Sequence, residues 1–282
     1  MEVLGHKEAL ATWRQTQRRL GRTVALVPTM GALHAGHLSL IATAKGHADV
    51  VVASIYVNPT QFDKADDLAA YPRESEADRA LLAGAGCDAV FEPTAMYGPH
   101  HATWIELPNL AATLCGAFRP GHFRGVATVV TKFLNMATPE VAVFGEKDFQ
   151  QIQIIRRCVA DLDIATKIVG APTIREADGL AMSSRNRRLS VDARQAATSI
   201  ARGLKLASEV YQAGSTDVGR LRALVVGAIE VAGGQVEYVE LVRPVDLQPI
   251  SDAVVAPTDG VIAIAAYFGG VRLIDNMALA RI

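Results

Sequence analysis

The chain has 282 residues, half of them hydrophobic and a fifth charged, and a formal net charge of −1. Such a length accommodates one large domain or two moderate ones with substantial cores, while the near-neutral balance argues against a broad electrostatic footprint for nucleic acid or an anionic membrane. Cys87, Cys115 and Cys158 form no Cys-x-x-Cys pair and are read as reduced, buried thiols of a cytoplasmic protein. The N-terminal residues lack the basic start and apolar core of a signal peptide, and no uncharged apolar run reaches membrane-spanning length.

Residues 7–19 carry apolar positions at helical spacing, and Gly21 closes that opening helix. The apolar run Val24-Ala25-Leu26-Val27 reads as a buried strand leading into Pro28-Thr29-Met30-Gly31-Ala32-Leu33-His34-Ala35-Gly36-His37. Leu38, Ile41, Ala42 and Lys45 follow at helical spacing, so the decapeptide is a strand-to-helix turn. The first N–H groups of a helix lack intrahelical partners and lie at the positive end of the aligned peptide dipoles, which suits a nucleotide phosphate. Gly31 and Gly36 are expected to supply positive φ and room for a phosphate beside the main chain. His34 and His37 share one side of the first turn and can donate to phosphoryl oxygens as charge grows there. Either imidazole taken alone can equally be a helix cap or a packing residue.

Residues 50–57 are continuously apolar and rich in β-branched side chains, as in a central parallel strand covered on both faces. They deliver Asn58-Pro59-Thr60-Gln61-Phe62. At the carboxyl end of such a strand the Asn58 and Gln61 amides face the same crevice as the first loop, although Asn-Pro is also a common turn dipeptide. Residues 63–67 read as a polar, solvated stretch, 74–85 as a helix, 87–91 as a third strand and 96–104 as loop. Asp66, Asp67, Glu74, Glu76 and Asp78 offer oxygens, but their spacing names no metal site and a solvated acidic face is the expectation.

A loop containing Arg119 and Arg124 precedes helical spacing over 127–136. Arginine at such a junction pairs with phosphate or carboxylate, or stays a plain surface residue. Val141-Ala142-Val143-Phe144 is a fourth strand with the exit Gly145-Glu146-Lys147-Asp148-Phe149-Gln150-Gln151. Gly145 permits close backbone approach and Lys147 supplies a point charge; Asp148 can cap the next helix or accept from a ribose hydroxyl. A helix over 152–159, a strand over 167–169 and a boundary at Pro172 complete the alternation. It indicates an α/β, Rossmann-like doubly wound parallel sheet over residues 1–171.

Beyond lies Arg175-Glu176-Ala177-Asp178-Gly179-Leu180-Ala181-Met182-Ser183-Ser184-Arg185-Asn186. Asp178-Gly179 marks a turn, and Ser183, Ser184 and Arg185 offer donors for a triphosphate from a segment able to move; either serine can instead cap a short helix. Helical spacing over 191–213, with Ser190 as N-cap, and over 218–232 is followed by strands at 236–242, 261–268 and 271–274. Gly269-Gly270 joins the last two as a tight hairpin. Residues 172–282 are thus a second, smaller C-terminal α+β domain without obvious chemistry of its own, read as a lid.

Pro-Thr-Met-Gly-Ala-Leu-His-x-Gly-His resembles the signature of the pantothenate synthetase family, within the nucleotidyltransferase superfamily that shares His-x-Gly-His with class I aminoacyl-tRNA synthetases. Val-Asn-Pro-Thr-Gln-Phe, Arg-Pro-Gly-His-Phe-x-Gly-Val, Phe-Gly-Glu-Lys-Asp-x-Gln-Gln and Gly-Leu-Ala-Met-Ser-Ser-Arg-Asn are similar to further motifs in that family's order. The last is a counterpart of the mobile Lys-Met-Ser-Lys-Ser loop, with Ser184 where that loop would carry lysine. The resemblance implies ATP-dependent joining of (R)-pantoate and β-alanine through an enzyme-bound pantoyl adenylate, giving pantothenate, AMP and pyrophosphate. It implies ATP contacts from Met30, Gly31, His34, Gly36, His37, Gly145, Glu146, Lys147, Asp148, Ile174, Met182, Ser183, Ser184 and Arg185. Among these, His34, His37, Lys147, Ser183, Ser184 and Arg185 would steady the reacting phosphates, with His37 the candidate for proton donation to the leaving pyrophosphate. Gln61 and Gln151 would hold pantoate, and Gln61 would also face β-alanine. Magnesium is expected with ATP, its ligands unassigned, and a homodimer is expected by resemblance, with neither nucleic acid nor membrane as partner. A cytidylyl- or adenylyltransferase, a nucleotide-binding sensor, and a structural zinc protein using both histidines are the alternatives.

Overall fold

The structure, a computed structural model, describes residues 1–63, 65–251 and 260–279. In chain order the elements begin with β1 (Glu2–Leu4), α1 (Lys7–Arg19), β2 (Val24–Thr29), α2 (Ala35–Lys45), β3 (Val50–Ile55), α3 (Ala65–Ala69) and α4 (Ser75–Gly84). There follow β4 (Ala89–Phe91), α5 (Pro108–Ala111), α6 (Leu114–Phe118), α7 (His122–Ala137), β5 (Val141–Gly145), α8 (Phe149–Asp161) and β6 (Lys167–Ala171). The chain closes with α9 (Val191–Ala197), α10 (Ser199–Gln212), α11 (Val218–Val231), β7 (Gln235–Val242), β8 (Val261–Phe268) and β9 (Val271–Ala278). Two compact units result: Met1–Leu107 with Arg119–Glu146 and Ile154–Pro172, and Pro108–Phe118 with Lys147–Gln153 and Thr173–Ile282.

In the first unit six strands form a wholly parallel sheet in the order β1-β4-β3-β2-β5-β6. Strands β2 and β3 pair in register from Val24↔Val50 to Thr29↔Ile55, and every residue of β3 is buried. That is why their sequences are unbroken apolar runs: with helices on both faces neither pleat meets water. One face carries Leu40, Ile41 and Ala44 of α2 and Leu82 of α4; the other carries Phe133 of α7, edge-on to Phe91 and Tyr56. Burying each such leucine, isoleucine or phenylalanine contributes about 1.5–3 kcal/mol. Buried Arg14 of α1 donates to Glu140 at 2.5 Å and to the Thr138 carbonyl at 3.2 Å, while Glu140 accepts the Val24 N–H at 2.7 Å. The carboxylate thus ties the opening helix to the first residue of β2.

From β2 the chain proceeds outward through β3 to β4, then returns to place β5 on the other side of β2. The order reverses between β2 and β5, and ligands of open α/β sheets gather at the carboxyl ends of strands flanking such a reversal. The Met30–His37 loop and Gly145–Glu146 leave from those two strand ends.

In the second unit β7, β8 and β9 form an antiparallel sheet, and its core draws Leu204, Ala207 and Tyr211 of α10, Leu221, Val225 and Ile229 of α11, and Ile262, Ile264 and Phe268 of β8. At Gly203 an added Cβ would lie 3.1 Å from the Val225 Cα, so a larger residue there would press α10 against α11. Gly269 (φ 55°) and Gly270 (φ 78°) make the expected two-residue hairpin.

Several elements differ from the sequence reading. The edge strand β1 is too short for a periodic signal. Residues 65–69 form α3 within the stretch read as solvated, of which Lys64 lies outside the described residues. Helix α7 starts at His122, behind the left-handed Gly121 (φ 80°), and therefore contains Arg124. The single helix expected over 191–213 is divided into α9 and α10, with the Thr198 hydroxyl donating to the Gln195 carbonyl at 2.7 Å where they meet.

Candidate active site

In the first unit the loop after β2 satisfies its own backbone. Thr29 Oγ1 donates to the Ser54 carbonyl at 2.6 Å and accepts the Gly31 N–H at 3.3 Å. Gly31 (φ 82°) and Ala32 (φ 51°) are consecutive left-handed residues, a conformation that disfavours alanine by about 1–2 kcal/mol. Both oxygens of Asp78 accept from the loop, Oδ2 from Ala32 and Oδ1 from Leu33, each at 2.8 Å. Asp78 is 1% exposed, which corrects its reading as part of a solvated acidic face; Asp66, Glu74 and Glu76 are exposed as expected. Gly36 corrects the other expectation. It lies inside the first turn of α2, and the second left-handed position falls to Ala32.

His34 is the N-cap of α2. Its Nδ1 accepts the Gly36 N–H at 3.1 Å, and His37 Nδ1 accepts the His34 N–H at 3.3 Å, a reciprocal capping box with the rings 4.2 Å apart. Capping and ligand roles are therefore compatible rather than rival. An N–H donating to Nδ1 requires its lone pair, so this network assigns the proton of each neutral ring to Nε2. The first turn of α2 contains no acidic residue. A helix N-terminus with two imidazoles and no acidic residue in its first turn is suited to a polyanion.

Gln61 follows β3 in a short 3₁₀ turn, is 8% exposed, and places Nε2 2.9 Å from Met30 Sδ. Asn58 holds it there, donating to Gln61 Oε1 at 3.0 Å and to the Gly125 carbonyl at 3.1 Å. A Cβ on Gly125 would stand 2.4 Å from the Thr60 carbonyl oxygen, so glycine is required for α7 to pass. Arg119 donates to Asp63 at 3.0 Å and to the Gln61 carbonyl at 3.3 Å. Burial pulls the Asp63 carboxyl upward, and the Arg119 hydrogen bond and charge outweigh it, leaving the group below its usual range. Arg124 instead pairs with Glu106 at 3.3 Å and lies over the Trp104 ring. A cleft of about 400 Å³ opens beside the loop, lined by Met30, Gly31, Tyr56, Arg73 and Glu92 among others.

In the second unit the Lys147 carbonyl accepts from Asn276 at 3.0 Å, and the Asp148 carbonyl accepts the Ile152 N–H at 3.1 Å, placing Asp148 at the head of α8. Gln150 and Gln151 part company. Gln150, 5% exposed, donates to the Leu110 and Thr113 carbonyls and accepts the Gly116 N–H, a structural role, whereas Gln151 is half-buried. Ile174 and Met182 meet across a short hairpin, the Met182 N–H donating to the Ile174 carbonyl at 2.9 Å. Ser183 Oγ accepts the Arg185 N–H at 3.2 Å and so caps the 3₁₀ turn Ser184–Arg188. Arg194 braces this hairpin through Glu176 (2.6 Å) and Asp178 (2.9 Å), and Arg175 pairs with Asp275 at 2.6 Å. Adjacent residues of β9, Asp275 and Asn276, thereby hold both the hairpin and Lys147. Among the described residues no group of three or more His, Cys, Asp or Glu side chains is placed to hold a metal ion.

The family model for pantoate–β-alanine ligase matches residues 2–278. The chain belongs to the pantoate–β-alanine ligase family. Curated members of that family resemble it along nearly their whole length. The pantothenate synthetase of Solidesulfovibrio magneticus is 49% identical, with 99% of each chain covered, and the pantoate–β-alanine ligase of Oryza sativa subsp. japonica is 44% identical, with 99% of this chain and 96% of the relative covered. The crystal structure of pantothenate synthetase from Thermus thermophilus superposes with a TM-score of 0.91 at 40% identity, covering 99% of this chain and 100% of that one. The pantoate–β-alanine ligase of Francisella tularensis, complexed with β,γ-ATP and β-alanine, gives a TM-score of 0.81 at 34% identity, covering 99% and 98%. No helix among the described residues is long and apolar enough to cross a membrane. The sequence reading missed Asp78, whose partners lie 45 and 46 residues away and leave no local pattern.

Proposed function

We propose that this ligase activates (R)-pantoate with ATP and transfers the pantoyl group to β-alanine. The pantoate carboxylate attacks the α-phosphorus and pyrophosphate leaves; the β-alanine amine then attacks the mixed anhydride, releasing AMP and forming the amide of pantothenate. Both steps ask chiefly for positioning and charge stabilisation. The observation that carries the reading is the N-terminus of α2 at the reversal of strand order, where His34 and His37 form a reciprocal capping box with their rings 4.2 Å apart.

In this reading Met30, Gly31, His34, Gly36, His37, Gly145, Glu146, Lys147, Asp148, Ile174, Met182, Ser183, Ser184 and Arg185 meet ATP. His37 donates to the leaving pyrophosphate, and Lys147, Ser183, Ser184 and Arg185 steady the same charge. Gln61 and Gln151 hold pantoate, and the buried bracket on Gln61 from Asn58 supports a fixed amide orientation for that task. Gln61 on the β-alanine side is the remaining assignment, and bound β-alanine in the Francisella relative supports a pocket of this kind in the family. Magnesium enters with ATP as part of the substrate, held by phosphates and water. A homodimer in the cytoplasm completes the reading, and three free, buried cysteines support a reducing setting.

Incubation of the purified protein with magnesium, ATP, (R)-pantoate and β-alanine tests it. Pantothenate and AMP should accumulate in equal amounts, each with one pyrophosphate. A stable product that retains the nucleotide, with no AMP released, would contradict it and favour a nucleotidyltransferase.

A further inference from the structure

Resting on the assignment of Met30–His37 to ATP, we propose that Asp78 is a positioning residue for adenylate formation: from α4 it holds the backbone that aims His34 and His37. The geometry is a chain of short contacts. The Asp78 carboxylate grips the consecutive N–H groups of Ala32 and Leu33 at 2.8 Å each. Those residues belong to a stretch with two left-handed positions in succession, one of them an alanine, and the loop interior is closed to water, with Ala32 at 0% and Leu33 at 2% exposure. Without an acceptor behind them the two N–H groups would be buried and unpaired, and the chain would relax out of the left-handed region. The next residue is His34, whose capping box with His37 sets both ring orientations. A tilt of the Ala32–Leu33 peptides therefore reaches the Nε2–H donors directly.

Two details make this a dedicated arrangement. A Cβ on Gly31 would lie 2.8 Å from Asp78 Oδ2, so glycine at that position leaves the space the carboxylate uses. And because Asp78 occupies the Ala32 and Leu33 N–H groups, these amides do not serve the phosphates. The loop differs here from a phosphate-cradling glycine loop, where successive backbone N–H groups face the ligand. In this chain the carboxylate takes those amides, and on this proposal the anion is left to the imidazoles.

Asp78→Asn is the deciding variant, since it keeps size and shape but sets an NH₂ group against one of the two N–H donors. Its kcat/KM for ATP should fall about 100-fold through a misaimed donor pair, with KM for β-alanine unchanged. Long-range proton–nitrogen spectra should show the His34 and His37 rings losing their fixed Nε2–H tautomer. Val225→Ala, in the core of the second unit, serves as a stability-matched control and should keep both ATP kinetics and ring signals. Asp78→Asn with wild-type kcat/KM for ATP and wild-type ring signals, while His37→Ala is inactive, overturns the role of Asp78 alone. His37→Ala with wild-type activity overturns the assignment of the loop to ATP, and this inference with it. If Asp78→Asn does not fold, amide exchange in the wild-type protein decides: Ala32 and Leu33 must be protected without ATP, and exchange as fast as in an exposed loop overturns the proposal.

Discussion

The two segments assigned to ATP are held in different ways. Met30–His37 is fixed through its main chain: four successive N–H groups, from Gly31 to His34, donate to the side chains of Thr29, Asp78 and His37. The hairpin from Ile174 to Arg188 adds guanidinium–carboxylate pairs to its own hydrogen bonds, and Arg194, Glu176 and Asp178 of that brace are each about a third exposed. Backbone hydrogen bonds in a dry setting resist salt and leave a loop preformed, whereas part-exposed ion pairs are screened and weak. The first segment is thus built as a rigid platform, on the proposed reading for the phosphates, and the second as an element whose hold can be loosened.

The largest effect expected from this contrast lies on the rigid platform. His37→Ala should lower adenylate formation about 100- to 1,000-fold, the scale of losing a single donor to developing charge, with little change in pantoate affinity. Comparable losses in rate and in pantoate affinity would mean that the ring packs the loop instead.

Next comes a deeply buried anchor of the braced segment. Arg175→Ala strands the Asp275 carboxylate, whose side chain is 2% exposed, and breaking such a pair costs about 3 kcal/mol or more. Denaturant unfolding should register that loss. A change below about 1 kcal/mol would place Asp275 in the class of solvated surface ions and remove the anchor from the account.

Removing the exposed brace should do less. Arg194→Ala is expected to raise KM for ATP about threefold at low ionic strength, and the difference from wild type should shrink as salt screens the pairs that wild type still has. A deficit that persists undiminished in high salt would show that Arg194 acts through packing.

The smallest effect belongs to Arg119. Its Asp63 partner has a folded pKa below the unfolded value, so the pair contributes stability above the unfolded pKa and loses it as pH falls through the folded one. Arg119→Ala should therefore cost about 0.5–1 kcal/mol at neutral pH and progressively less below about pH 4. A penalty independent of pH would assign the stabilisation to the Arg119 bond with the Gln61 carbonyl alone.

The same contrast explains what could be read from the residues. The platform was legible because its signals are local: unbroken apolar runs in β2 and β3, whose residues are buried on both faces, then a glycine-bearing turn and two histidines on one helical turn. The detail that escaped is long-range or conformational. Asp78 lies in an acidic stretch that looks solvated until α4 turns one carboxylate toward the loop, and the second left-handed position falls to Ala32, whose N–H that carboxylate accepts, and not to Gly36. In the braced segment Ser183, Gly179 and the Asp178 turn are local and were readable. The Arg175–Asp275 and Lys147–Asn276 contacts span 100 and 129 residues, and no spacing rule reaches that far.

Pyrophosphate–ATP isotope exchange, with magnesium and (R)-pantoate present and β-alanine omitted, tests the central claim most directly. Exchange that depends on pantoate is the predicted result, because a reversible adenylate must form before the amine arrives. Absence of exchange in folded protein that binds ATP would contradict adenylation of pantoate at this site.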